Sequence, residues 1–510
     1  MLAEFFCTII LCIMQETREN AEEIITNDND ADIPCAKDTQ EISVNSEEPH
    51  HLTSDKMRDM KVVKLLLNMS VPAIISMFVM SLYNIVDSVF VARYNPKALD
   101  ALSIVFPMQQ LLIAFAVGIG VGTNAYVSRK LGQKKYEDAT LTAQTGMFMA
   151  LCASVIFVIL GLTVSRPFVS TFTDDPETIE MGTVYLTVVT CLAVGGFVDT
   201  ICSRTLQATG NMKIPMITQL VGAIVNIAFD PIFIFVCNLG VLGAAIATVL
   251  GQFCAMAIGL CAFRFRKHDV TVFFNRKFRL KAATVKGIVK IAVPTVVMNA
   301  VAAFVTTILN LILRAYEAAI TVLGIYFKLQ SFVFMPVFGL NQGALPIMSY
   351  NYGAKNRARF LETYKWSLIF ALSIMSLGLI IFQSMPSLLM SLFSAEGALM
   401  ETGIFALRII SICFIFAAFG IMSTTMIQAL RFGTMSMIVS LLRQVVLLIP
   451  FAILFSHLFG VQGVWFAFPA SEVIVASIFA FILRPIINKK LPKMPIEVSE
   501  MAVTGADGQV

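Results

Sequence analysis

Residues 101–134, ALSIVFPMQQLLIAFAVGIGVGTNAYVSRKLGQK, return 221 positions later as residues 322–355, VLGIYFKLQSFVFMPVFGLNQGALPIMSYNYGAK. Leu102, Ile104, Phe106, Gln109, Gly118, Gly122, Ser128, Gly132 and Lys134 stand opposite Leu323, Ile325, Phe327, Gln330, Gly339, Gly343, Ser349, Gly353 and Lys355. Each copy holds an apolar run of the roughly twenty residues that cross ~30 Å of hydrocarbon as a helix, and a glycine and a lysine end it. The nearly constant offset extends in both directions: Val71-Pro72 faces Val293-Pro294, Gln207-Ala208 faces Gln428-Ala429, and Gly240-x-x-Gly243 faces Gly460-x-x-Gly463. Two or three such matches arise by chance, but an offset kept from end to end is a tandem repeat.

Outward from this pair, apolar runs of spanning length recur between polar breakers, and twelve are predicted. They cover residues 66–92, 101–127, 139–163, 181–206, 214–237 and 241–264, then 287–313, 322–348, 361–384, 401–428, 434–456 and 461–484. Composition agrees, since 57% of the residues are apolar and only 14% charged, which places the chain among membrane proteins. The fold class is therefore all-α and polytopic, with twelve transmembrane helices in two lobes of six. Six is even, so the lobes share one orientation and are related by an axis along the membrane normal, with a pathway between them.

The expected layout is an acidic, polar tail over 1–56 that buries too little to order itself, with Met57 and Met60 as alternative starts. An amino-terminal lobe over 57–264, a linker over 265–286, a carboxy-terminal lobe over 287–485 and a tail over 486–510 follow. Residues 1–14 are apolar but too short to span and lack the basic start of a signal peptide. The short basic loops alternate: Lys56–Lys64, Arg129–Lys135, Lys213, Arg264–Lys286, Lys355–Arg359, Arg431 and Arg484–Lys493 share one side, which the positive-inside rule makes cytoplasmic, with both termini. The basic residues set orientation and imply no nucleic-acid partner. Cys152, Cys191, Cys254 and Cys413 sit singly in apolar runs, so they read as packing residues and not as zinc ligands or disulfides.

An acid inside a span costs a few kcal/mol on insertion scales, roughly 2.5–3.5, and marks a functional candidate. Asp87 lies ~8 Å from the outer end of the first helix and Asp230 ~10 Å from that of the fifth, at 1.5 Å per residue. Asn226 precedes Asp230 by one turn on the same face, and Thr248 is similarly deep in the sixth helix. Two carboxylates, an amide and a hydroxyl at one level of one lobe suit a sodium ion, or the acids suit a proton that burial and mutual repulsion allow to come and go. The structural alternative is that Asp87 caps a helix end and Asp230-Pro231 is a kink.

The string Leu82-Tyr83-Asn84-Ile85-Val86-Asp87, the Gly132-Gln133-Lys134 loop, the Asn226-x-x-x-Asp230-Pro231 run with Thr248 beyond it, and the repeat together resemble the multidrug and toxic compound extrusion (MATE) family over about residues 57–485. The likeness is closest to its bacterial multidrug pumps. It implies an amino-lobe cation site at Asp87, Asn226, Asp230 and Thr248, and a polyspecific antiporter that exchanges organic compounds for H+ or Na+. Some members also carry acids on helices seven and ten. Here residues 294–313 hold Asn299 and Asn310 but no acid, and 401–428 keep Glu401 and Arg408 near the outer end, so a second cation site in the carboxy lobe is not expected.

Arg443 and Glu472 each lie ~15 Å deep by the same rise and are expected to form a structural ion pair. Asp199, on the fourth helix, is a secondary candidate, as are Asn299 and the repeat-related Gln109 and Gln330, which either line the cleft or hydrogen-bond between helices. The expected function is export of amphipathic, often cationic compounds by alternating access, from a monomer in a bacterial inner membrane whose partners are lipid and small-molecule substrates. No cofactor or enzymatic constellation is expected: HExxH, GxSxG and histidine clusters are absent from the sequence. A lipid-linked oligosaccharide flippase of related fold is the alternative, but it needs cleft cations for pyrophosphate, and Arg443 is the single candidate.

Overall fold

The computed structural model describes residues 55–265, 268–275, 278–313, 317–393 and 396–490. The expected order–disorder of the two tails therefore lies outside the described residues, apart from a short helix, Asp55–Asp59, that crosses the boundary expected at residue 57.

Twelve membrane helices follow in order: α1 (Val62–Tyr94), α2 (Pro96–Gly132), α3 (Tyr136–Ser170), α4 (Pro176–Cys191 and Val194–Ala208), α5 (Lys213–Pro231) and α6 (Gly240–Phe265). The second set is α7 (Ala282–Ile312), α8 (Glu317–Gly353), α9 (Arg357–Ser384), α10 (Gly397–Ser411 and Cys413–Ala429), α11 (Gly433–Leu441, running on to Phe459) and α12 (Val461–Lys490). Ten of these are long and apolar enough to span as single helices, whereas α4 and α10 span as bent pairs, at 45° and 43°. The bends fall on repeat-related helices. So do two π-helical stretches, Ile232–Val236 after α5 and Leu442–Leu448 within α11, the kind of irregularity that gathers at functional positions.

Local chemistry sets the helix starts. Asn95 caps α2 through its side-chain oxygen, which accepts from the Lys97 amide at 2.9 Å, with Pro96 as the first helical residue. Asp175 does the same for α4 ahead of Pro176, and Asn356 for α9. At this end of the first lobe, opposite the basic loops, Val91, Val105, Val169, Tyr185, Val189, Ile234 and Val241 form an apolar core that fixes α1 to α6 together. The linker is not a free strap. Phe278 packs tilted against Phe148 of α3 with ring centroids 6.4 Å apart, and Val270 and Val272 are buried.

The lobes meet through exchanged neighbours, α1 along α8 and α2 along α7, with α2 also along α8. Membrane helices approach closely where small residues line the contact, and here the repeat-matched glycines do so. A Cβ on Gly118 would stand 2.8 Å from the Ala292 carbonyl oxygen, and one on its repeat mate Gly339 would stand 2.7 Å from the Ile74 Cα. At the basic-loop end Gly132 abuts the Tyr350 carbonyl and Gly353 abuts that of Arg129, so no side chain fits between the lobes there.

Candidate functional site

The site is built on α5. Thr218, Gly222, Asn226 and Asp230 recur every four residues and share one face. Gly222 and Gly251 let α5 and α6 approach backbone to backbone: a Cβ on Gly251 would lie 2.5 Å from the Gly222 carbonyl oxygen. One turn beyond that contact, Asn226 reaches Thr248. Its amide lies 3.4 Å from Thr248 Oγ1 and 3.4 Å from Asp230 Oδ1, donating to both. Asp230 is fully buried and Asn226 nearly so, at 0% and 3% exposure.

This geometry gathers a carboxylate, an amide and a hydroxyl, with the amide nitrogen turned to the other two, and Asn226 Oδ1 has no hydrogen-bond donor among the described residues. A buried acceptor left without a donor costs ~1–3 kcal/mol, so the arrangement favours something that supplies positive charge. With the amide turned over, its oxygen would join the carboxylate and the hydroxyl in an all-oxygen set that fits a hard cation such as Na+, while the carboxylate alone fits a proton. Asp87 belongs to α1, whose helix is described, but its side chain lies outside the described residues.

The other candidates are placed elsewhere. Asp199 lies in the second half of α4, where Ser203 Oγ is 3.5 Å from its Oδ1 and 3.3 Å from Thr218 Oγ1, about two turns below Asn226 on α5. Asn299 donates to the Thr295 carbonyl at 2.8 Å, a bond within its own helix. Gln109 and Gln330 are half-buried, and neither side chain makes a hydrogen bond among the described residues. Arg443 and Glu472 are brought together, with Nη1 3.4 Å from Oε1, and Gly420 of α10 leaves space beside them: a Cβ there would be 3.9 Å from Glu472 Oε2 and 4.0 Å from Arg443 Nη1.

One polar group that sequence reasoning passed over is Arg204. Its guanidinium crosses between the lobes from α4 and donates to Gln342 Oε1 of α8 at 3.2 Å and to Gln207 Oε1 at 3.1 Å. Gln342 in turn lies 3.4 Å from the Met77 sulfur of α1. Its signal in the sequence is a basic residue within an apolar span.

Comparison with known proteins follows the repeat. The MatE family model matches residues 72–232 and again residues 294–454, once per lobe. The multidrug export protein MepA of Staphylococcus aureus (strain MRSA252) is 26% identical over 434 residues, which cover 83% of this chain and 94% of that protein. MepA of Staphylococcus haemolyticus (strain JCSC1435) is 25% identical over 430 residues, covering 84% and 94%. Among solved structures, an outward-facing multidrug resistance MATE family transporter superposes with a TM-score of 0.81 at 24% identity, covering 86% of this chain and 98% of that one. A MOP superfamily transporter from Pyrococcus furiosus gives 0.80 at 24% identity, covering 85% and 98%. The doubled helical architecture and the two family matches, one in each half, make the chain a member of the MatE family, a multi-pass membrane transporter of twelve helices in two six-helix lobes.

Proposed function

We propose that this transporter is an efflux antiporter that exports amphipathic, often cationic, organic compounds in exchange for H+ or Na+ by alternating access. The observation that carries the reading is the buried polar cluster of Asp230, Asn226 and Thr248 inside one lobe, which joins α5 to α6. Asp87 on α1 is its fourth member in this proposal, by its position in the sequence. The multidrug export relatives support the substrate class. The membrane is that of a bacterial cell, with the basic loops and both termini on the cytoplasmic face. In this reading the chain acts as a monomer, without a cofactor and without catalysing a reaction on its substrate.

Coupling requires that the ion bind the outward-open and inward-open states differently, because equal affinity shifts nothing. Charge on Asp230 decides whether the Asn226 amide is drawn to the carboxylate or released toward Thr248, so proton or cation binding changes how α5 sits on α6. The driving force is adequate, at ~2.3 kcal/mol per charge per 100 mV. Arg443, the cation that a pyrophosphate-binding flippase would use, faces Glu472, which disfavours that alternative.

The test is dye efflux from proteoliposomes under an imposed pH or sodium gradient. Asp230→Asn and Asp87→Asn are expected to keep substrate binding yet stop gradient-driven efflux, while Asn226→Ala and Thr248→Val reduce it less. Efflux by Asp230→Asn at the unmutated rate between about pH 6 and pH 8 would remove this lobe from the coupling mechanism, because that variant lacks the carboxyl on which proton coupling depends.

A further inference from the structure

Two cavities open side by side at the basic-loop end of the first lobe, one of about 670 Å³ and one of about 510 Å³. Asn68 and Lys213 line both. Lys56 stands in the larger, Lys61 and Lys64 in the smaller. All four lysines are exposed, and among the described residues none is paired with a carboxylate; Asp59 lies 3.8 Å from Arg58. Four positive charges around a shared recess, with no carboxylate paired to them among the described residues, attract an anion.

The recess is not only charged. Leu67 and Val71 of α1 line the smaller cavity and Ile217 of α5 and Phe265 of α6 the larger; Phe265 is 80% exposed. Along α1, Lys64 and Val71 are seven residues apart, about 10 Å at 1.5 Å per residue. Charge therefore lies at the level of the membrane surface and apolar surface about two turns deeper, which is the dimension of an amphiphile with an anionic head and a hydrocarbon tail. A soluble anion would use only the first part. Basic recesses between membrane helices on the cytoplasmic side have the chemistry of acidic headgroup sites.

We infer that the paired cavities around Lys61, Lys64 and Lys213 bind an anionic phospholipid of the leaflet on the basic-loop side, phosphate on the lysines and an acyl chain along Leu67, Val71 and Ile217. The occupied site bridges the start of α1 to the start of α5, the two helices that carry Asp87 and Asp230, and so holds them in register. Naming the leaflet cytoplasmic rests on the orientation proposed above; the binding does not, and it is read without a gradient or an exported compound, so it fails or succeeds apart from the antiport reading.

The experiment titrates the full-length protein in detergent with phosphatidylglycerol or phosphatidylcholine, following retained lipid by native mass spectrometry and the melting midpoint. Phosphatidylglycerol is expected to stay bound and raise the midpoint, and phosphatidylcholine to do neither. Each lysine replaced among Lys61→Gln, Lys64→Gln and Lys213→Gln weakens phosphatidylglycerol about fivefold, from ~1 kcal/mol per basic residue near the surface. The exposed control pair Lys286→Gln and Lys365→Gln leaves it unchanged. Should the triple variant fold poorly, Lys213→Glu alone is expected to lose the lipid. The inference is overturned by an unaltered phosphatidylglycerol response in the lysine variants, by an equal response to phosphatidylcholine, or by inorganic phosphate alone producing the whole increment.

Discussion

Arg443 and Glu472 show how a single pair of charges is tolerated in a lobe of hydrocarbon-facing helices. At 3.4 Å the contact is long for a charge-assisted bond, and Glu472 Oε2 has no hydrogen-bond partner among the described residues, so the pair is a poor source of net stability. Its removal by halves is different, because a lone buried charge costs about 3–5 kcal/mol in soluble proteins, while removal of both partners is often neutral. Arg443→Met and Glu472→Gln are each expected to lower the melting midpoint in detergent, and the double change to restore most of the loss; three equal losses would show that the two side chains act separately. At the exposed end opposite the basic loops the logic is reversed. The Thr178 hydroxyl donates to Asp175 at 2.6 Å and Lys97 lies 3.2 Å from it, which holds that carboxyl below its ordinary value of 3.8. A depressed acid stabilises the native state above its unfolded value and loses that contribution as pH falls through the native one. Amide exchange over residues 171–178 should therefore be steady down to about pH 4 and rise below 3.8, whereas Asp175→Asn should remove the pH step.

At the scale of elements, the helices were legible because spanning length is a property of composition. Each span read from apolar runs overlaps an observed helix, closely for 434–456 against the observed 433–459, and less so for 139–163, whose helix runs on two turns to Ser170. The bends in α4 and α10 were not legible. Leu192-Ala193 and Ile412 carry no proline or other breaker, and the bends show only once neighbouring helices are in place. The grouping of Asn226 with Asp230 follows from their four-residue spacing, but their link to Thr248 depends on the Gly222–Gly251 crossing, a contact between residues 29 positions apart that no local pattern reveals. That crossing is testable. Gly251→Ala places a methyl 2.5 Å from a backbone oxygen that cannot swing aside, so α5 and α6 must part and the Asn226–Thr248 bond must lengthen. Ion-coupled efflux should fall about tenfold, a loss of ~1.4 kcal/mol, with little change in dye affinity. Gly259→Ala, lower on the same helix and facing the Cys202 side chain, should be milder; equal effects would mean that α6 packing matters and its approach to Asn226 does not.

Over the whole molecule, the repeat read from sequence accounts for the two lobes and for the glycines that seal them, since Gly118 and Gly339 occupy matched places in the α2–α7 and α8–α1 contacts. It does not account for the polar contacts at the seal, because these break the symmetry: Arg204 corresponds by repeat to Thr425, and Gln342 to Val121. Several arginines at this junction meet neutral groups. Arg204 bonds to Gln342, Arg129 lies 4.8 Å over the Tyr352 ring, Arg431 lies 5.3 Å over that of Tyr126, and Arg359 donates to the carbonyls of Met57 and Met60. Under the alternating access proposed above, this seal opens repeatedly. An ion pair between the lobes would resist, since separating it leaves two charges to rehydrate, whereas an arginine held by amides and rings regains water with no anion left behind. Arg204→Met should therefore loosen the closed side, raising deuterium exchange over residues 62–77 and 339–353 of the protein in nanodiscs. Gln342→Glu, which sets a carboxylate where Arg204 now finds an amide oxygen at 3.2 Å, should lower that exchange and slow dye efflux about tenfold, or ~1.4 kcal/mol on the opening barrier, while Arg204→Met combined with Gln342→Glu should lose the lock. Unchanged exchange in all three variants would leave the glycine contacts as the whole of the seal, and would make Arg204 a passenger in the α4–α8 contact.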